Sequence, residues 1–391
     1  MDFSKVQAHL EKVVQEGAPF VQTVVTQGRK TVFSANLGWA DAAKTVPITG
    51  RHLCWCYSNT KVYTAVCLMR LVEAGKVALD DPVSVYIPEF SGIRYRKDGE
   101  ILTAKQAPTL RQLITMTSGL TYNFSEYPHF AEVTARPGVT TREAIAALGR
   151  EVLAFEPGTD YYYGLGHDVI AAVVEIVSGL RFSEYVKQNL LDPLGIEDTG
   201  FHPTGEQLAR FAEQYRWDGE VYTPCGHDNK FIFSENYDSG GAGMFSCPQE
   251  YCKLLTARAC GGTGEDGYRV LKPETIDLMA KNQLTGKTWE TYHTKAGSKT
   301  YRAGYGYGHG VRVHVDAAQS GSRTSVGEFG WSGAAGAYSV VDRDKQLAIS
   351  YAEHVLRGTA VPKPAADGHF PYVRTQVLKT LKNSVCEALE S

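Results

Sequence analysis

The sequence lacks the motifs that define several large functional classes. Its eight cysteines form no Cys-x-x-Cys pair and no zinc-spaced cluster with histidine. No stretch approaches the roughly 18 uncharged apolar residues of a membrane span. The first ten residues resemble an amphipathic helix rather than a signal peptide. A net charge of −3 gives no basis for binding nucleic acid or an anionic membrane.

From these absences we expect no metal, no cofactor, no nucleic-acid partner and no membrane attachment. Several cysteines lie within apolar segments, which favours buried free thiols and a cytoplasmic location. The oligomeric state is left open by the sequence.

What the chain does contain is the composition of an ordinary globular protein, with 43% apolar and 21% charged residues over 391 positions. Periodicity predicts strands only near the two ends of the chain, at 21–27, 31–39, 307–315, 337–341 and 347–353. It predicts helices at 2–16, 109–117, 141–153, 168–178, 182–191 and 369–389.

This layout predicts an α+β fold (an α/β sandwich), in which strands from both chain ends form one antiparallel sheet flanked by helices. Residues 1–80 and 240–391 are predicted to form the sheet domain. Residues 81–239 are predicted to form an inserted, mostly helical lobe. We expect the active site at the interface of the two.

The chain's single Ser-x-x-Lys, from Ser58 to Lys61, lies where a short apolar strand is predicted to turn into a helix. A lysine three residues after a serine lies on the same helix face, one turn further on. A partly desolvated amine has a lowered pKa and can accept a hydroxyl proton. The pair is therefore a candidate nucleophile with its own base. The alternative is that Ser58 caps the helix and Lys61 is a solvated surface charge.

Further patterns follow this motif in order. They comprise Leu-Val-Glu-Ala-Gly-Lys-Val at 71–77, Leu-Asp-Asp-Pro-Val at 79–83, Thr-Leu-Arg-Gln-Leu-Ile-Thr-Met-Thr-Ser-Gly-Leu at 109–120, Glu-Pro-Gly-Thr at 156–159 and Ser-Gly-Gly-Ala-Gly-Met at 239–244. Together they resemble the serine β-lactamase and penicillin-binding-protein superfamily. The chain looks most like its class C β-lactamase-like branch, the family VIII carboxylesterases. The resemblance covers most of residues 5–355 and implies the β-lactamase/transpeptidase-like fold, with Ser58 as nucleophile.

The resemblance places the second catalytic motif at Tyr163, with Tyr162 as the alternate register and Leu165 where β-lactamases carry asparagine. A phenol near Lys61 could relay a proton between the serine oxygen and the leaving group. The third motif falls at 330–336, where Trp331 replaces the usual lysine. That replacement removes a cation and provides a flat apolar wall.

The family further implies an oxyanion hole made by the N–H of Ser58 and an N–H near Gly333 or Ala334. The substrate-binding segment is thus predicted at Trp331, Ser332, Gly333 and Ala334. The run at 330–334 also nearly spells the Gly-x-Ser-x-Gly elbow of α/β-hydrolases, but that motif needs a parallel sheet that the predicted elements do not supply.

These features predict a serine carboxylesterase that forms an acyl-enzyme on Ser58, with possible acyl transfer and weak β-lactam hydrolysis. One alternative is a β-lactamase or D-amino-acid peptidase, with Arg312 or Arg323 as the anchor for a substrate carboxylate. A second alternative is a catalytically retired scaffold. The partner is expected to be a small-molecule ester. Aromatic residues in the predicted pocket loops favour an apolar or aromatic acyl or alcohol group: Tyr122, Phe124, Tyr127, Phe130, Tyr215, Trp217 and Tyr222.

Overall fold

The computed structural model describes residues 1–294, 302–357 and 374–391. Its strands, in chain order, are β1 (Phe20–Gln27), β2 (Lys30–Gly38), β3 (Cys54–Trp55), β4 (Arg94–Lys97), β5 (Glu100–Thr103), β6 (Val152–Leu153), β7 (Tyr215–Trp217), β8 (Tyr222–Pro224), β9 (Phe245–Ser246), β10 (Tyr305–Tyr307), β11 (Arg312–His314), β12 (Phe329–Gly330), β13 (Tyr338–Asp342), β14 (Leu347–Ala352) and β15 (Val355–Leu356).

The α-helices are α1 (Ser4–Gln15), α2 (Thr60–Glu73), α3 (Leu110–Ile114), α4 (Pro128–Thr134), α5 (Thr141–Leu148), α6 (Gly166–Ser178), α7 (Phe182–Val186), α8 (Gly205–Leu208), α9 (Pro248–Ala259), α10 (Pro273–Met279), α11 (Gly286–Thr294), α12 (Ala317–Ser320) and α13 (Arg374–Glu390).

One antiparallel sheet joins the two ends of the chain. Its strand order is β10-β11-β12-β13-β14-β1-β2, so β1 pairs with the late strand β14 as well as with its neighbour β2. Successive side chains of a strand point to opposite faces. Val25 accordingly packs in the cluster formed by α1 and α13, whereas Val24 packs in the main core, which includes α9. The predicted fold class is confirmed.

Helix α2 carries the candidate catalytic pair and lies in the interior. Eleven of its fourteen residues are buried, because apolar side chains occupy nearly every position from Val62 to Leu71. It packs against α6, which is buried along most of its length. A polar side chain on the early turns of α2 is therefore removed from bulk water, whatever its own preference.

The middle of the chain contains more strand than predicted, so the expectation of strands only near the ends is wrong. β4, β5 and β6 form one small sheet, and β7, β8 and β15 form another. The helix predicted at 141–153 ends at Leu148, and its last residues form β6. The strand predicted at 307–315 is two antiparallel strands, β10 and β11, because the glycines at 308 and 310 form the turn between them.

Two other helices differ from their predicted bounds. The segment predicted as a helix at 182–191 is α7 followed by one π-helical turn from Lys187 to Leu191. The final helix begins at Arg374, and residues 369–373 of the prediction lie outside the described residues. The division into a sheet domain (1–80 and 240–391) and a helical lobe (81–239) stays a prediction. Within the described ranges, no helix has the length and hydrophobicity to cross a membrane.

Candidate active site

Ser58 lies in the turn between β3 and α2, as the sequence predicts. It belongs to a 3-10 turn, Tyr57–Asn59, that runs directly into α2. Tyr57 has φ +45°, a left-handed conformation that is uncommon for a bulky residue and often marks a functional site. Its hydroxyl donates to Gln214 at 2.7 Å, and the ring is buried. The surrounding structure therefore holds the bend that presents Ser58.

Lys61 is fully buried, and its ammonium group makes three hydrogen bonds. Nζ lies 3.3 Å from Ser58 Oγ, 2.9 Å from the hydroxyl of Tyr122 and 2.7 Å from the carbonyl oxygen of Gly241. Three acceptors match the three protons of an ammonium group. The reading of Lys61 as a solvated surface charge is therefore wrong, because burial of α2 takes this side chain into the core.

Two tyrosines approach Lys61 in different ways. Tyr122 receives a hydrogen bond from the amine, whereas Tyr163 presents its ring face, with its centre 4.8 Å from Nζ. The hydroxyl of Tyr163 instead accepts a hydrogen bond from Trp331 Nε1 at 3.1 Å. Tyr162, the alternate register, is an exposed side chain. Tyr163 thus lies beside the pair as expected, but the phenol bonded to Lys61 is Tyr122.

Sequence reasoning placed Tyr122 only among the aromatic residues of a pocket loop. Its one local signal is its position, two residues after the Thr-Ser-Gly-Leu turn at 117–120 that the family pattern includes. Burial raises the pKa of the Tyr122 phenol, and the charge of Asp168 raises it further. The ring packs against Phe124 and Phe231, with centroids 6.2 and 5.5 Å away. These rings form an apolar wall on one side of Ser58 and Lys61.

Trp331 and its neighbours continue this aromatic stretch, because the Tyr122 ring lies 5.6 Å from the ring of Tyr163. The Trp331 ring lies 5.6 Å from the ring of Tyr163 and 5.1 Å from that of Tyr307. Its backbone N–H donates to Ser339 Oγ, which in turn donates to the side-chain oxygen of Asn59. This network ties the end of β12 to the residue that follows Ser58.

Ser332, Gly333 and Ala334 continue from Trp331 into a tight turn. A Cβ at Gly333 would lie 2.2 Å from the carbonyl oxygen of Cys56, so only glycine allows this turn to approach the nucleophile segment. The Gly333 N–H donates to Ala337 O at 2.6 Å. Ala334 is exposed, and Ser332 is half-buried and bridges to Tyr338.

The two arginines proposed as carboxylate anchors lie elsewhere. Arg312 is buried and pairs with Glu328 at 2.7 Å. Arg323 pairs with Glu387 and Glu390 on α13. Both side chains are therefore engaged in holding the sheet and the last helix, and the expectation that either anchors a substrate carboxylate is not supported.

Comparison with known proteins identifies the family. Residues 5–366 match the profile of the Beta-lactamase family. The chain is 30% identical over 352 residues to Esterase EstB of Burkholderia gladioli, covering 83% of each sequence. It is 30% identical over 250 residues to the monacolin J acid methylbutanoyltransferase of Aspergillus terreus, covering 59% of this chain and 57% of that sequence.

The fold has solved relatives as well. EstCE1, described as a hydrolase with promiscuous acyltransferase activity, superimposes with a TM-score of 0.78 at 22% identity, covering 98% of this chain and 97% of that one. The simvastatin synthase LovD of Aspergillus terreus superimposes with a TM-score of 0.79 at 21% identity, covering 99% and 98%. The chain belongs to the Beta-lactamase family, and the predicted family is confirmed.

Proposed function

We propose that this protein is a serine carboxylesterase that works through an acyl-enzyme on Ser58. The observation that carries the proposal is the convergence of the Ser58 hydroxyl, a buried lysine amine and a phenol within 3.3 Å of the amine nitrogen. Relatives named as an esterase and as acyltransferases support ester chemistry in this family. The expected substrate is a small-molecule ester.

The three hydrogen-bond contacts of Lys61 Nζ suit a neutral amine that acts as a base. A neutral amine has two N–H groups and one lone pair. The two shorter contacts, to Gly241 O at 2.7 Å and Tyr122 at 2.9 Å, suit the two N–H groups. The 3.3 Å contact then directs the lone pair at the Ser58 hydroxyl. Ser58 Oγ attacks the acyl carbon as its proton passes to Lys61.

The second half of the reaction returns that proton. As the ester C–O bond breaks, the departing alcohol oxygen takes the proton from Lys61, either directly or through the Tyr122 hydroxyl. Water then attacks the acyl-enzyme and releases the acid and free Ser58. A second alcohol in place of water would give acyl transfer. Tyr163 keeps its predicted catalytic assignment as a proposal, with a contribution through its ring beside the ammonium group.

The oxyanion would be held by the N–H of Ser58 and an N–H of the Gly333–Ala334 turn. The Gly333 N–H donates to Ala337 O at 2.6 Å, which keeps this turn tight beside the nucleophile segment. One oxyanion donor is typically worth about 100- to 1,000-fold in rate.

Esters are favoured over β-lactams by the chemistry of the walls. Trp331 stands where the family resemblance places a lysine, and it belongs to a connected group of aromatic rings that reaches Lys61 through Tyr163 and Tyr122. An apolar wall suits neutral acyl and alcohol groups and offers no partner to a carboxylate. A cytoplasmic location stays a prediction; the eight cysteines are free, and six of them are buried.

The proposal is tested with a fluorophosphonate probe and a series of p-nitrophenyl esters beside nitrocefin. We expect the probe to label Ser58, and Ser58→Ala to abolish ester turnover, whereas exposed Ser91→Ala leaves it intact. Intact-mass measurement should detect an acyl adduct during turnover. Unchanged ester hydrolysis in Ser58→Ala would defeat the proposal. Nitrocefin turnover equal to that of short esters would favour the β-lactamase alternative, and a folded protein that no probe acylates would favour a scaffold.

A further inference from the structure

The glycine-rich turn at 239–244 packs along the face of α2 that carries Lys61. Thr64 Oγ1 donates to Gly240 O at 2.6 Å, Lys61 Nζ donates to Gly241 O at 2.7 Å, and the Met244 N–H donates to Thr60 Oγ1 at 3.0 Å. The turn therefore follows α2 for more than one helical turn and supplies one of the three acceptors of the amine.

The same turn is held from its other side by Asp168, which lies in the first turn of α6. Asp168 Oδ1 accepts from Ser239 Oγ at 2.7 Å, from the Tyr237 hydroxyl at 3.2 Å and from the Gly241 N–H at 3.3 Å. The backbone of Gly241 is thus bonded at its carbonyl oxygen by Lys61 and at its N–H by Asp168. The Asp168 carboxylate and the Lys61 amine are therefore connected through the backbone of Gly241.

A side chain at position 241 would displace Asp168 or Tyr122. A Cβ at Gly241 would lie 2.4 Å from Asp168 Oδ2 and 2.8 Å from the Tyr122 hydroxyl. Oδ2 is buried, and no donor among the described residues bonds to it. One oxygen of the carboxylate thus organises the turn, while the other lies on the side of Gly241 that faces Tyr122.

We propose that Asp168 is a positioning residue that fixes Lys61 through Gly241 and supplies the negative charge that balances its ammonium form. This inference rests on the proposed function of Ser58 and Lys61. A buried ammonium group without a nearby counter-charge is costly, and a carboxylate in direct contact would hold its proton too firmly. Because Gly241 separates Asp168 from Lys61, the carboxylate can offset the cost of the buried ammonium group without bonding to its proton.

Several other titratable groups face this site. Tyr122 and Tyr163 contact Lys61, and Tyr237 and Tyr307 lie close enough to Tyr122 to influence it. His167 is buried beside the site, and burial together with the charge of Lys61 holds its pKa well below the ordinary value. Both effects favour the neutral form of His167. Burial raises the pKa of the Asp168 carboxyl, an effect that the Ser239 hydrogen bond and the charge of Lys61 oppose.

The test is the pH profile of Asp168→Asn with p-nitrophenyl acetate. The amide keeps the shape of the Asp168 side chain and removes the negative charge that favours the ammonium form of Lys61. We expect the acid limb of kcat/KM to move about one unit to lower pH. We also expect kcat at the optimum to fall about tenfold, with KM within about twofold of the parent. Glu175→Gln is the matched control, because it removes another buried carboxylate from α6; it should leave the acid limb in place.

An unmoved acid limb, or one displaced to higher pH, in a folded Asp168→Asn protein would overturn the proposal. If that variant does not fold, Gly241→Ala decides, because its methyl group would push Asp168 and Tyr122 apart. We expect it to lower kcat and the rate of fluorophosphonate labelling more than tenfold, with KM nearly constant; full activity would refute the proposal. Turnover by Ser58→Ala would instead refute the proposed function, so the two failures are distinguishable.

Discussion

Two buried lysines in this protein, Lys61 and Lys382, have opposite surroundings. Lys382 of α13 bonds directly to the carboxylate of Glu328 at 2.9 Å and to the Tyr305 hydroxyl, beside the Arg312–Glu328 pair. Lys61 is bonded to two hydroxyls and one carbonyl, and among the described residues no carboxylate lies within ion-pair distance.

The difference separates a structural cation from a candidate base. Although burial opposes it, the charge of Glu328 raises the pKa of Lys382 above its ordinary value, so this lysine stays an ammonium ion. The partners of Lys61 are neutral and serve the amine and the ammonium form alike. The two sites thus differ in whether a carboxylate contacts the amine directly.

The largest expected effect comes from removing the candidate base. Lys61→Met should lower kcat/KM for p-nitrophenyl acetate about 1,000-fold or more, since the hydroxyl of Ser58 loses its proton acceptor. We expect the variant to fold, because an apolar side chain of similar length replaces the buried amine, but with a lower melting temperature, because Asp168 loses the charge that balances it. A variant that keeps a tenth of the parent activity would show that Lys61 is not the base.

Removing the structural lysine should have the reverse result. Lys382→Met removes one of the two cations that contact the buried Glu328 in the described residues and leaves Arg312 with two hydroxyl donors, and we expect the free energy of unfolding to fall by about 3 kcal/mol. Activity of the folded protein should stay within about twofold, because none of the hydrogen bonds of Lys61 in the described residues involves Lys382 or Glu328. Urea unfolding followed by circular dichroism, with esterase assays in its absence, measures both. Lost activity in a stable variant would remove the distinction between the two lysines.

Substitution of the two tyrosines near Lys61 by phenylalanine should give the next largest effect, a fall in kcat. Tyr122→Phe should lower kcat about 100-fold, because the hydroxyl bonded to Lys61 is lost. Tyr163→Phe should lower it about tenfold or less, since its ring stays beside the ammonium group and only the bond to Trp331 disappears. Steady-state kinetics on one ester rank the two variants. A larger fall in kcat for Tyr163→Phe than for Tyr122→Phe would mean that Tyr163, and not Tyr122, relays the proton.

The smallest effect is a pH dependence of stability. Burial alone would raise the pKa of Glu328, but Lys382 and Arg312 lower it to about 2. A carboxylate with a lowered pKa in the folded state stabilises the protein above its unfolded pKa, and that stabilisation is lost as pH falls toward 2. Between pH 6 and pH 3 we expect the stability advantage of the parent over Glu328→Gln to shrink by about 2 kcal/mol. A constant advantage would mean that the pair contributes nothing through its charge.

Several features of the fold could be predicted because they depend on local pattern. The short apolar and β-branched runs of β1 and β14, the periodicity of α6 and the strand-to-helix turn at Ser58 each lie within a short window of sequence. The short strands β4 to β8 were missed because they have two to four residues each and are stabilised by partners distant in sequence. Their residues carry too few alternating positions to give a pattern.

The candidate site likewise combines a contact that local sequence predicts with contacts that it does not predict. Helix geometry alone brings Ser58 and Lys61 together, since residues three apart share a face, and the observed contact is 3.3 Å. The acceptors Tyr122 and Gly241 lie 61 and 180 residues further along the chain. No local pattern specifies which tyrosine of a pocket loop turns its hydroxyl toward the amine.

The sequence by itself determined the family, the fold class and the nucleophile–lysine pair, because these depend on motifs and on contacts within one helical turn. Only the tertiary structure decided that Lys61 is buried, that Tyr122 is its phenol partner and that Asp168 reaches it through Gly241. Those contacts are made where α2, α6, the loop of Tyr122 and the turn at 239–244 pack together. The packing of distant segments sets them, and the spacing of residues along the chain does not.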